Sequence, residues 1–341
     1  MAAVTTSQIA KELGLSRNTV SKALNNNPEV CNNTKRLVLA TAKRLGYHRL
    51  NKQFYDEFSE SEASYEICLI VHERELKVNF WNLILQGTEE CLKVRSCRIL
   101  FGILTYDDES NSRLPPVLNG NSISGIIAVG PYSDSYLNKI RNTGIPFVSI
   151  DTAASVQDHQ ICNDVILTSN FSSVYDITSE LILKGARELA FVGDPYSCKS
   201  INERWKGFKA AINDNPAGSD EGFIAFTDIP LEFDYDKISK LVDSIERYPD
   251  AMVCANDIVA NGIIKALEAK GKTVPGDVMV SGFDNYESPF IPISKLTTVS
   301  YDIKELGYLA ARQILYRIER PESPCVIIRT AAKVIFRQSA R

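Results

Sequence analysis

The chain has 341 residues, 44% of them hydrophobic, and a formal net charge of −4, which is enough chain for two or three domains with full cores. No segment approaches the roughly 20 apolar residues that cross a bilayer, and the N-terminus lacks the features of a signal peptide, so we expect a cytoplasmic protein that does not associate with membranes. Its eight cysteines are scattered without a C-x-x-C pair, which argues against a disulfide framework and against a zinc site.

The charge is divided unevenly along the chain. Residues 1–55 hold nine Lys and Arg against two acids, a net of +7, whereas the remaining residues hold 29 basic and 40 acidic side chains, a net of −11. A small basic segment ahead of an acidic body favours a polyanionic partner for the basic segment alone. A solvated basic surface that binds nothing would show the same pattern, so charge alone leaves both interpretations open.

Three short helices are predicted in this basic head. The first spans about Ser7–Leu13 with Thr6 as its N-cap, Gly14 makes the turn, and Ser16 caps the second helix. The third runs over about Asn33–Leu45. The side chains expected to face inward are Ile9, Ala10, Leu13, Val20, Ala23, Leu24, Leu37, Val38, Thr41, Ala42 and Leu45.

The second helix should expose a polar face, because Arg17, Asn18, Ser21, Lys22 and Asn25 recur at helical spacing. Two helices joined by a tight glycine turn, the second carrying amides and cations, form a helix-turn-helix. Arg and Lys pair with guanine, Asn pairs with adenine, and hydroxyls reach phosphates or base edges, so this chemistry suits DNA. A generic three-helix packing module remains the alternative on spacing alone.

The stretch "VTTSQIAKELGLSRNTVSKALNNNPEVCNNTKRLVLATAKRLGY" resembles the head of the lactose-repressor (LacI/GalR) family of bacterial transcriptional regulators in the order and spacing of its motifs. The resemblance implies that Arg17, Asn18 and Lys22 read bases of a double-stranded DNA operator. It also implies a second group of residues that contact the DNA backbone or support the helix, namely Thr5, Ser16, Thr19, Ser21, Asn25 and Thr34.

The chain departs from that family at two places. Cys31 stands where the family commonly has a serine that caps the third helix, and a thiol is a poor cap. After Tyr47 the family usually continues into a hinge helix, but here Arg49 replaces its proline, Gln53 its alanine and Asp56 its leucine. We therefore expect residues 50–64 to form an atypical acidic linker rather than a hinge that inserts into the minor groove.

From residue 65 onward, apolar runs alternate with amphipathic segments, which predicts an α/β body with parallel, doubly wound sheets in two subdomains. The runs are "EICLIV", "RILFGIL", "GIIAVG", "PFVSI", "ELAFVG", "FIAF", "AMVCA" and "VMVSGF". Ligands bind at the carboxyl ends of such strands, where Asp151, Asp194, Asn256–Asp257 and Asp284–Asn285 follow the runs. Each aspartate could equally be a helix cap or a turn residue.

The body also resembles that family, in "FWNLILQGTEE", "SINERWKGFKAAI", "AMVCANDIVANGIIKAL", "VMVSGFDN" and "KLTTVSYDIKELG". The resemblance implies a periplasmic-binding-protein-like fold whose two subdomains enclose a small effector. The domains would be a head at 1–49, a linker at 50–64 and an effector-binding and dimerisation body at 65–341. Within the body, the N-subdomain would hold about 65–161 and 292–320, and the C-subdomain about 162–291 and 321–341.

The same resemblance implies which side chains hold the effector. Arg204 and Asp257 would bond its hydroxyls or polar ring atoms, while Phe80 and Trp81 would cover an apolar ring face. Ser200, Trp205 and Asp284 complete the predicted effector site. For the three aromatic residues, packing in the core or between the subdomains is the alternative.

The predicted function is a dimeric, sequence-specific DNA-binding regulator, expected to be a repressor, that binds a near-palindromic operator and responds to a small carbohydrate effector. No enzyme activity, cofactor or metal is expected, because no nucleophile-and-base pattern accompanies His48, His72 or His159. Two other classes stay open: a regulator controlled by a protein partner or corepressor, and a solute-binding protein without DNA function, which would need export.

Overall fold

The computed structural model describes residues 4–30, 32–47, 65–73, 79–119, 123–215, 223–227, 234–286 and 295–340. The chain divides into two compact units, Met1–Ser64 and Tyr65–Arg341, which are described separately. Several residues that the sequence analysis singled out lie outside the described ranges. They are Cys31, His48 and the linker 50–64, together with Arg49, Gln53 and Asp56.

The head contains three helices: α1 (Thr6–Leu13), α2 (Arg17–Leu24) and α3 (Asn32–Leu45). The N-cap of α1 is Thr5 and not Thr6 as predicted, since the Thr5 amide donates to Oε1 of Gln8 over 2.8 Å. Gly14 turns the chain in the left-handed region with φ of 63°. Ser16 caps α2, as predicted, by accepting a hydrogen bond of 3.0 Å from the Thr19 amide.

The small core of the head is formed mainly by the predicted residues, and Ile9, Val20 and Val38 are fully buried. One expectation is wrong, because the Leu37 side chain is 53% exposed while Leu39 is buried. Successive residues of a helix are rotated by about 100°, so a face centred on Val38 and Ala42 includes Leu39 and excludes Leu37.

The strands of the body, in chain order, are β1 (Glu66–His72), β2 (Arg98–Leu104), β3 (Gly125–Val129), β4 (Phe147–Ile150), β5 (Asp164–Thr168), β6 (Leu189–Val192), β7 (Phe223–Phe226), β8 (Ala251–Cys254), β9 (Met279–Ser281), β10 (Thr298–Ser300), β11 (Ile327–Thr330) and β12 (Lys333–Ile335). Two parallel sheets result, with the orders β11-β5-β4-β3-β1-β2 and β7-β6-β8-β9. Strands β10 and β12 pair antiparallel. Central strands such as β3 are buried along their whole length, as expected of strands covered on both faces.

The helices of the body are α4 (Asn79–Lys93), α5 (Tyr106–Ser110), α6 (Asp134–Arg141), α7 (Asn170–Leu183), α8 (Lys199–Asp214), α9 (Tyr235–Asp243), α10 (Asp257–Ala269) and α11 (Ile303–Glu319). Helices α4 and α11 cover one face of the first sheet and α6 covers the other. In the second sheet, α7 and α8 pack on one face and α9 and α10 on the other. No helix in the described part of the chain is long and apolar enough to span a bilayer.

The pairing of the strands corrects the predicted subdomain boundaries. Strands β5 and β11 pair with each other in the first sheet, although the boundaries at 162 and 321 assigned both to the C-subdomain. Strand β10 lies with β12 beside the second sheet, although 292–320 was assigned to the N-subdomain. The chain therefore crosses between the subdomains after β5, after β10 and after β11, and each crossing follows a strand rather than preceding it.

Candidate functional site

The exposed face of α2 carries the residues that the sequence predicted. The side chains of Arg17, Asn18 and Asn25 are exposed, while Ser21 and Lys22 are half-buried against the head. Within the described residues, no hydrogen bond or ion pair engages the side chains of Arg17 or Asn18. This face therefore offers a cation and an amide that are free to bind an external partner.

The other predicted head residues have partners inside the head. The hydroxyl groups of Ser16 and Thr19 lie 2.8 Å apart, and the Asn25 amide donates to the Ser21 carbonyl over 2.9 Å. Thr5 caps α1, and Thr34 is half-buried on α3. These contacts fit residues that hold α2 in place.

An acid that no sequence motif singled out lies beside the exposed face. Glu29 lies in the loop after α2, and its carboxylate forms a close ion pair with the Lys22 ammonium. The hydrogen bond and the charge of Lys22 lower the pKa of Glu29. Lys22 is consequently held by an intramolecular partner, whereas none of the residues that the structure describes pairs with Arg17 on the same face.

A cleft lies in the body at the carboxyl ends of the strands, where α/β sheets bind ligands. Its empty volume is about 970 Å³, counting the mouth that opens to solvent. The first subdomain lines it with Phe80, Trp81, Pro131, Asp151, Thr168 and Leu306. The second subdomain lines it with Ser200, Ile201, Arg204, Asn256 and Asp284.

Five of the seven predicted effector residues line this cleft, namely Phe80, Trp81, Ser200, Arg204 and Asp284. Trp205 does not, because its ring stacks on Phe208 at 5.6 Å and packs against Phe191 at 5.2 Å. Ser200 and Arg204 are four residues apart and share one face of α8, and the next residue turns away from that face. The packing interpretation is therefore correct for Trp205.

Arg204 joins three elements beneath the cleft surface and is only 6% exposed. Its Nε donates to Oδ1 of Asn170 over 2.9 Å, and its Nη1 donates to the Ala255 carbonyl over 2.6 Å. Its Nη2 lies 3.5 Å from Oδ1 of Asp284. The guanidinium also lies over the Phe283 ring, 3.5 Å from the centroid. The guanidinium is thus fixed before any ligand arrives.

Asp257 lies below the cleft surface and is fully buried. Its Oδ1 accepts from the Thr298 hydroxyl over 2.6 Å, and its Oδ2 accepts from the Tyr286 amide over 2.8 Å. Burial, with the negative charge of Asp284, raises the pKa of Asp257 to about 8. Gly282 is required here, since a Cβ at that position would lie 2.2 Å from the Asp257 carboxylate. The predicted direct contact of Asp257 with the effector has no support, because this residue does not line the cleft.

Asp151 is a cleft residue to which the sequence analysis gave no role beyond its place after a strand. It follows β4 with φ of 70°, and its Oδ1 accepts hydrogen bonds from the Thr152 amide over 2.7 Å and the Ser200 amide over 3.2 Å. Since Ser200 lies on α8, Asp151 connects the two subdomains at the cleft. A polar residue after an apolar run was the available signal.

A group of ion pairs also joins the subdomains, beside the cleft. Arg329 on β11 forms two hydrogen bonds of 2.8 Å with the Glu203 carboxylate on α8. Lys199, also on α8, lies 2.7 Å from the Asp158 carboxylate of the first subdomain. Both pairs hold the subdomains in the arrangement that encloses the cleft.

Comparison with protein families gives two matches. Residues 5–49 match the family described as bacterial regulatory proteins, lacI family, and residues 178–340 match the periplasmic binding protein-like domain. Among relatives, the catabolite control protein A of Priestia megaterium is 25% identical, and the alignment covers 99% of each chain. The HTH-type transcriptional regulator RegA of Clostridium saccharobutylicum is 26% identical over 92% of each chain.

Solved structures show the same fold. A complex of the transcriptional regulator CelR with cellobiose superposes with a TM-score of 0.68 at 21% identity, covering 98% of this chain and 99% of that one. The lac repressor dimer bound to operator and the anti-inducer ONPF gives 0.69 at 19% identity, covering 99% of both chains. A LacI-family regulator of Enterococcus faecium with bound ribose gives 0.66 at 22% identity, covering 81% and 98%. The predicted fold, a helix-turn-helix head with a periplasmic-binding-protein-like body, is confirmed.

Proposed function

Because the chain belongs to the LacI family of bacterial regulatory proteins, which are DNA-binding transcriptional regulators and not enzymes, we propose that it is a cytoplasmic repressor controlled by a carbohydrate that binds in the cleft of the body. The head binds operator DNA, and the body converts occupancy of the cleft into a change of operator affinity.

The proposal for the head depends on the free face of α2. Arg17 and Asn18 are exposed, and both residue types form bidentate bonds to base edges in the major groove. Lys22 contacts a base after its ion pair with Glu29 breaks. The hydroxyl groups of Ser16 and Thr19 lie at the N-terminal end of α2, and this end of the helix contacts DNA phosphates. Two heads related by a two-fold axis bind a near-palindromic operator.

The proposal for the effector depends on one observation above the others: the cleft lining combines aromatic rings with fixed polar side chains. Phe80 and Trp81 on α4, in the first subdomain, meet edge to face with ring centroids 5.0 Å apart. From the second subdomain, Ser200, Arg204 and Asp284 supply fixed polar atoms. Sugars present apolar C–H faces and hydroxyl edges, and such a pocket matches both. The structures that bind cellobiose and ribose have this fold.

We place the homodimer contact at the free edge of the first sheet. Strand β2 is the edge strand there, and its Phe101 and Ile103 side chains are each 52% exposed. Exposed apolar side chains on an edge strand are a surface that a second copy of the chain would cover. The lac repressor, whose structure covers 99% of this chain, is a dimer when bound to its operator.

The experiment begins with selection of operator sites from a random duplex library by the full-length protein. We expect a palindrome, and binding that falls roughly 10³–10⁵-fold between 50 and 200 mM salt, as for a dimer with about 6–10 phosphate contacts. A fixed half-site spacing with a flexible central step would show that the acidic linker still kinks DNA, and variable spacing would show that it does not. No enriched site, or a salt slope near zero, would contradict the proposal.

The effector is then tested by fluorescence, since the chain has two tryptophans. Trp205→Phe leaves Trp81 as a reporter in the cleft, and Trp81→Phe leaves Trp205 as a reporter in the core. We expect a binding sugar to change the emission of the first variant far more than that of the second. Equal changes of emission in both variants would contradict a binding site in the cleft. If operator binding responded to a protein partner and to no carbohydrate, the effector would be that protein and not a sugar.

A further inference from the structure

The charged groups of the cleft indicate which class of carbohydrate it accepts, an inference that rests on the proposed function. Among the described residues that line the cleft, the side chains of the types that are ordinarily charged at neutral pH are one cation, Arg204, and two carboxylates, Asp151 and Asp284. The cation is already compensated, because its Nη2 lies 3.5 Å from Asp284 and its Nε and Nη1 hold Asn170 and the Ala255 carbonyl. Burial raises the pKa of Asp284, and the charge of Arg204 acts against that rise. With both carboxylates ionised, negative charge exceeds positive charge at this surface.

The hydrogen-bonding capacity of the two carboxylates is unequally used. In Asp151, Oδ1 accepts from two backbone amides. In Asp284, Oδ1 accepts from the Tyr301 hydroxyl over 2.8 Å and faces Arg204. The Cys198 thiol also forms a hydrogen bond with the Asp151 carboxylate, whereas the described residues give no hydrogen bond to Oδ2 of Asp284. Asp284 therefore keeps one oxygen as an acceptor for a donor on the ligand. Asp151 keeps part of its acceptor capacity, because a carboxylate has about four lone-pair sites and a thiol is a weak donor.

The remaining polar groups do not supply a second positive charge. Asn256 uses Oδ1 to cap α10 through the Val259 amide, at 2.8 Å, and keeps its Nδ2 as a neutral donor. The Ser200 hydroxyl lies 3.3 Å from the Asn170 amide nitrogen. Hydroxyl groups of a ligand both donate and accept, so they can satisfy the carboxylates and the amide together, whereas a phosphate or carboxylate only accepts.

An anionic ligand would meet these groups unfavourably. Its charge would lie beside Asp151 and Asp284 in a partly buried space, and Arg204 would compensate it only in part, because the charge of Arg204 is already shared with Asp284. Like charges brought together at a binding surface oppose association strongly. The apolar remainder of the lining, including Phe80 and Trp81, adds no compensation.

We infer that the cleft takes an uncharged polyhydroxylated ligand, a free sugar or polyol, and that Asp151 and Asp284 exclude its phosphorylated and acidic counterparts. The two carboxylates would accept hydrogen bonds from ligand hydroxyls through the acceptor capacity that their described partners leave unused. Asp151 and Asp284 would thus determine whether the cleft accepts a neutral or an anionic ligand.

The test uses matched pairs of probes on the full-length Trp205→Phe protein: ribose and ribose 5-phosphate, glucose and glucose 6-phosphate, and galactose and galacturonate. Dissociation constants are measured by fluorescence, together with the response of operator binding. We expect every pair that binds to favour the neutral member by at least about 30-fold. An anionic member that binds as well as its neutral counterpart would overturn the inference and leave the proposed function intact. If no probe binds and operator affinity responds to none, the proposed function fails as well.

Charge variants separate the carboxylates from other causes of discrimination. Asp151→Asn and Asp284→Asn keep the shape of each side chain, and asparagine tolerates the positive φ of both positions, 70° and 108°. We expect the double variant to reduce the discrimination at least about tenfold, mainly through tighter binding of the anionic probe. Asp176→Asn, which removes an exposed acid of α7, is the matched control and should change nothing. Unchanged discrimination in the double variant would overturn the role of the two acids.

Discussion

The exposed face of α2 and the cleft of the body present their charges in opposite ways. On α2, Arg17 is exposed and no described residue pairs with it. In the cleft, Arg204 is 6% exposed and is held by Asn170, the Ala255 carbonyl and Asp284. An exposed cation without a partner among the described residues, such as Arg17, is suited to bind a polyanion such as DNA, and such binding weakens as the salt concentration rises. A compensated cation in a partly buried pocket suits a neutral ligand that needs fixed geometry.

The largest expected effect concerns Asp257, the fully buried carboxyl group beneath the cleft of the body. The pKa of Asp257 is raised to about 8, so its contribution to stability is fully present below the ordinary aspartate pKa and is lost as the pH rises through 8. We expect the free energy of unfolding of the wild type to fall relative to Asp257→Asn by up to about 1.4 kcal/mol per pH unit between about pH 5 and 8.

Urea titrations followed by tryptophan fluorescence measure this effect, since both tryptophans lie in the body. In the variant, the Thr298 hydroxyl can turn to accept from the new amide, and the Asn oxygen accepts from the Tyr286 amide. Asp176→Asn is the exposed control and should follow the wild type at every pH. Parallel curves for the wild type and Asp257→Asn would show that Asp257 is ionised in the folded protein.

The next effect separates the two sites. Arg17→Ala should weaken binding to the selected operator by about 5- to 150-fold, the range of one bidentate base contact, and leave sugar binding unchanged. Arg95→Ala, which removes an exposed arginine of the body, is the matched control. Gel-shift and fluorescence titrations give both affinities. If Arg17→Ala altered the sugar affinity as much as the operator affinity, Arg17 would not act through a contact with DNA alone.

A smaller effect concerns the ion pairs between the subdomains. Glu203→Gln removes the charge that Arg329 binds through two hydrogen bonds, so an arrangement with a wider cleft becomes more accessible. We expect the sugar affinity to fall roughly two- to fivefold, as for a partly exposed pair. Glu180→Gln breaks a pair between Glu180 on α7 and Lys184, the residue that caps the end of the same helix, and serves as the control. Equal effects of the two variants would assign the loss to stability alone.

The smallest effect returns to the head. Glu29→Gln frees Lys22 from its ion pair, and we expect operator affinity to rise on the order of twofold, with a larger gain at low salt. Glu12→Gln, an exposed acid on α1, controls for the general change of charge. A decrease in affinity would mean that Glu29 positions Lys22 for DNA rather than competing with it.

The two sites were also unequally predictable from sequence. The exposed face of α2 lies within residues 17–25, where the period of a single helix determines which side chains are exposed. The two errors in the head are small shifts along a correctly predicted helix. The N-cap of α1 is Thr5, one residue before the predicted Thr6, and the buried face of α3 includes Leu39 instead of the predicted Leu37. Local patterns were sufficient because no distant segment is needed to build this face.

The cleft is formed by segments that are distant in sequence, so predicting it requires the order of the strands and the crossings between the subdomains, which the sequence shows less clearly. The resemblance to the family placed the boundaries at 162 and 321 and so assigned β5 and β11 to the C-subdomain, and neither strand lies in one of the apolar runs from which the sheets were predicted. Trp205 was assigned to the cleft from the resemblance to the family, with packing as the alternative, and the structure shows its ring packed against Phe191 and Phe208, since adjacent residues on a helix face different directions. Asp151 acquires its role only through the Ser200 amide, which comes from the other subdomain.

The central claim is that occupancy of the cleft changes the affinity of the head for DNA. The most direct measurement is the operator affinity of the full-length protein with and without a saturating sugar identified by the Trp205→Phe reporter. A change of about 5- to 150-fold is expected, with Trp81→Ala requiring more sugar to reach it. An operator affinity that stays the same while the cleft is saturated would contradict the account.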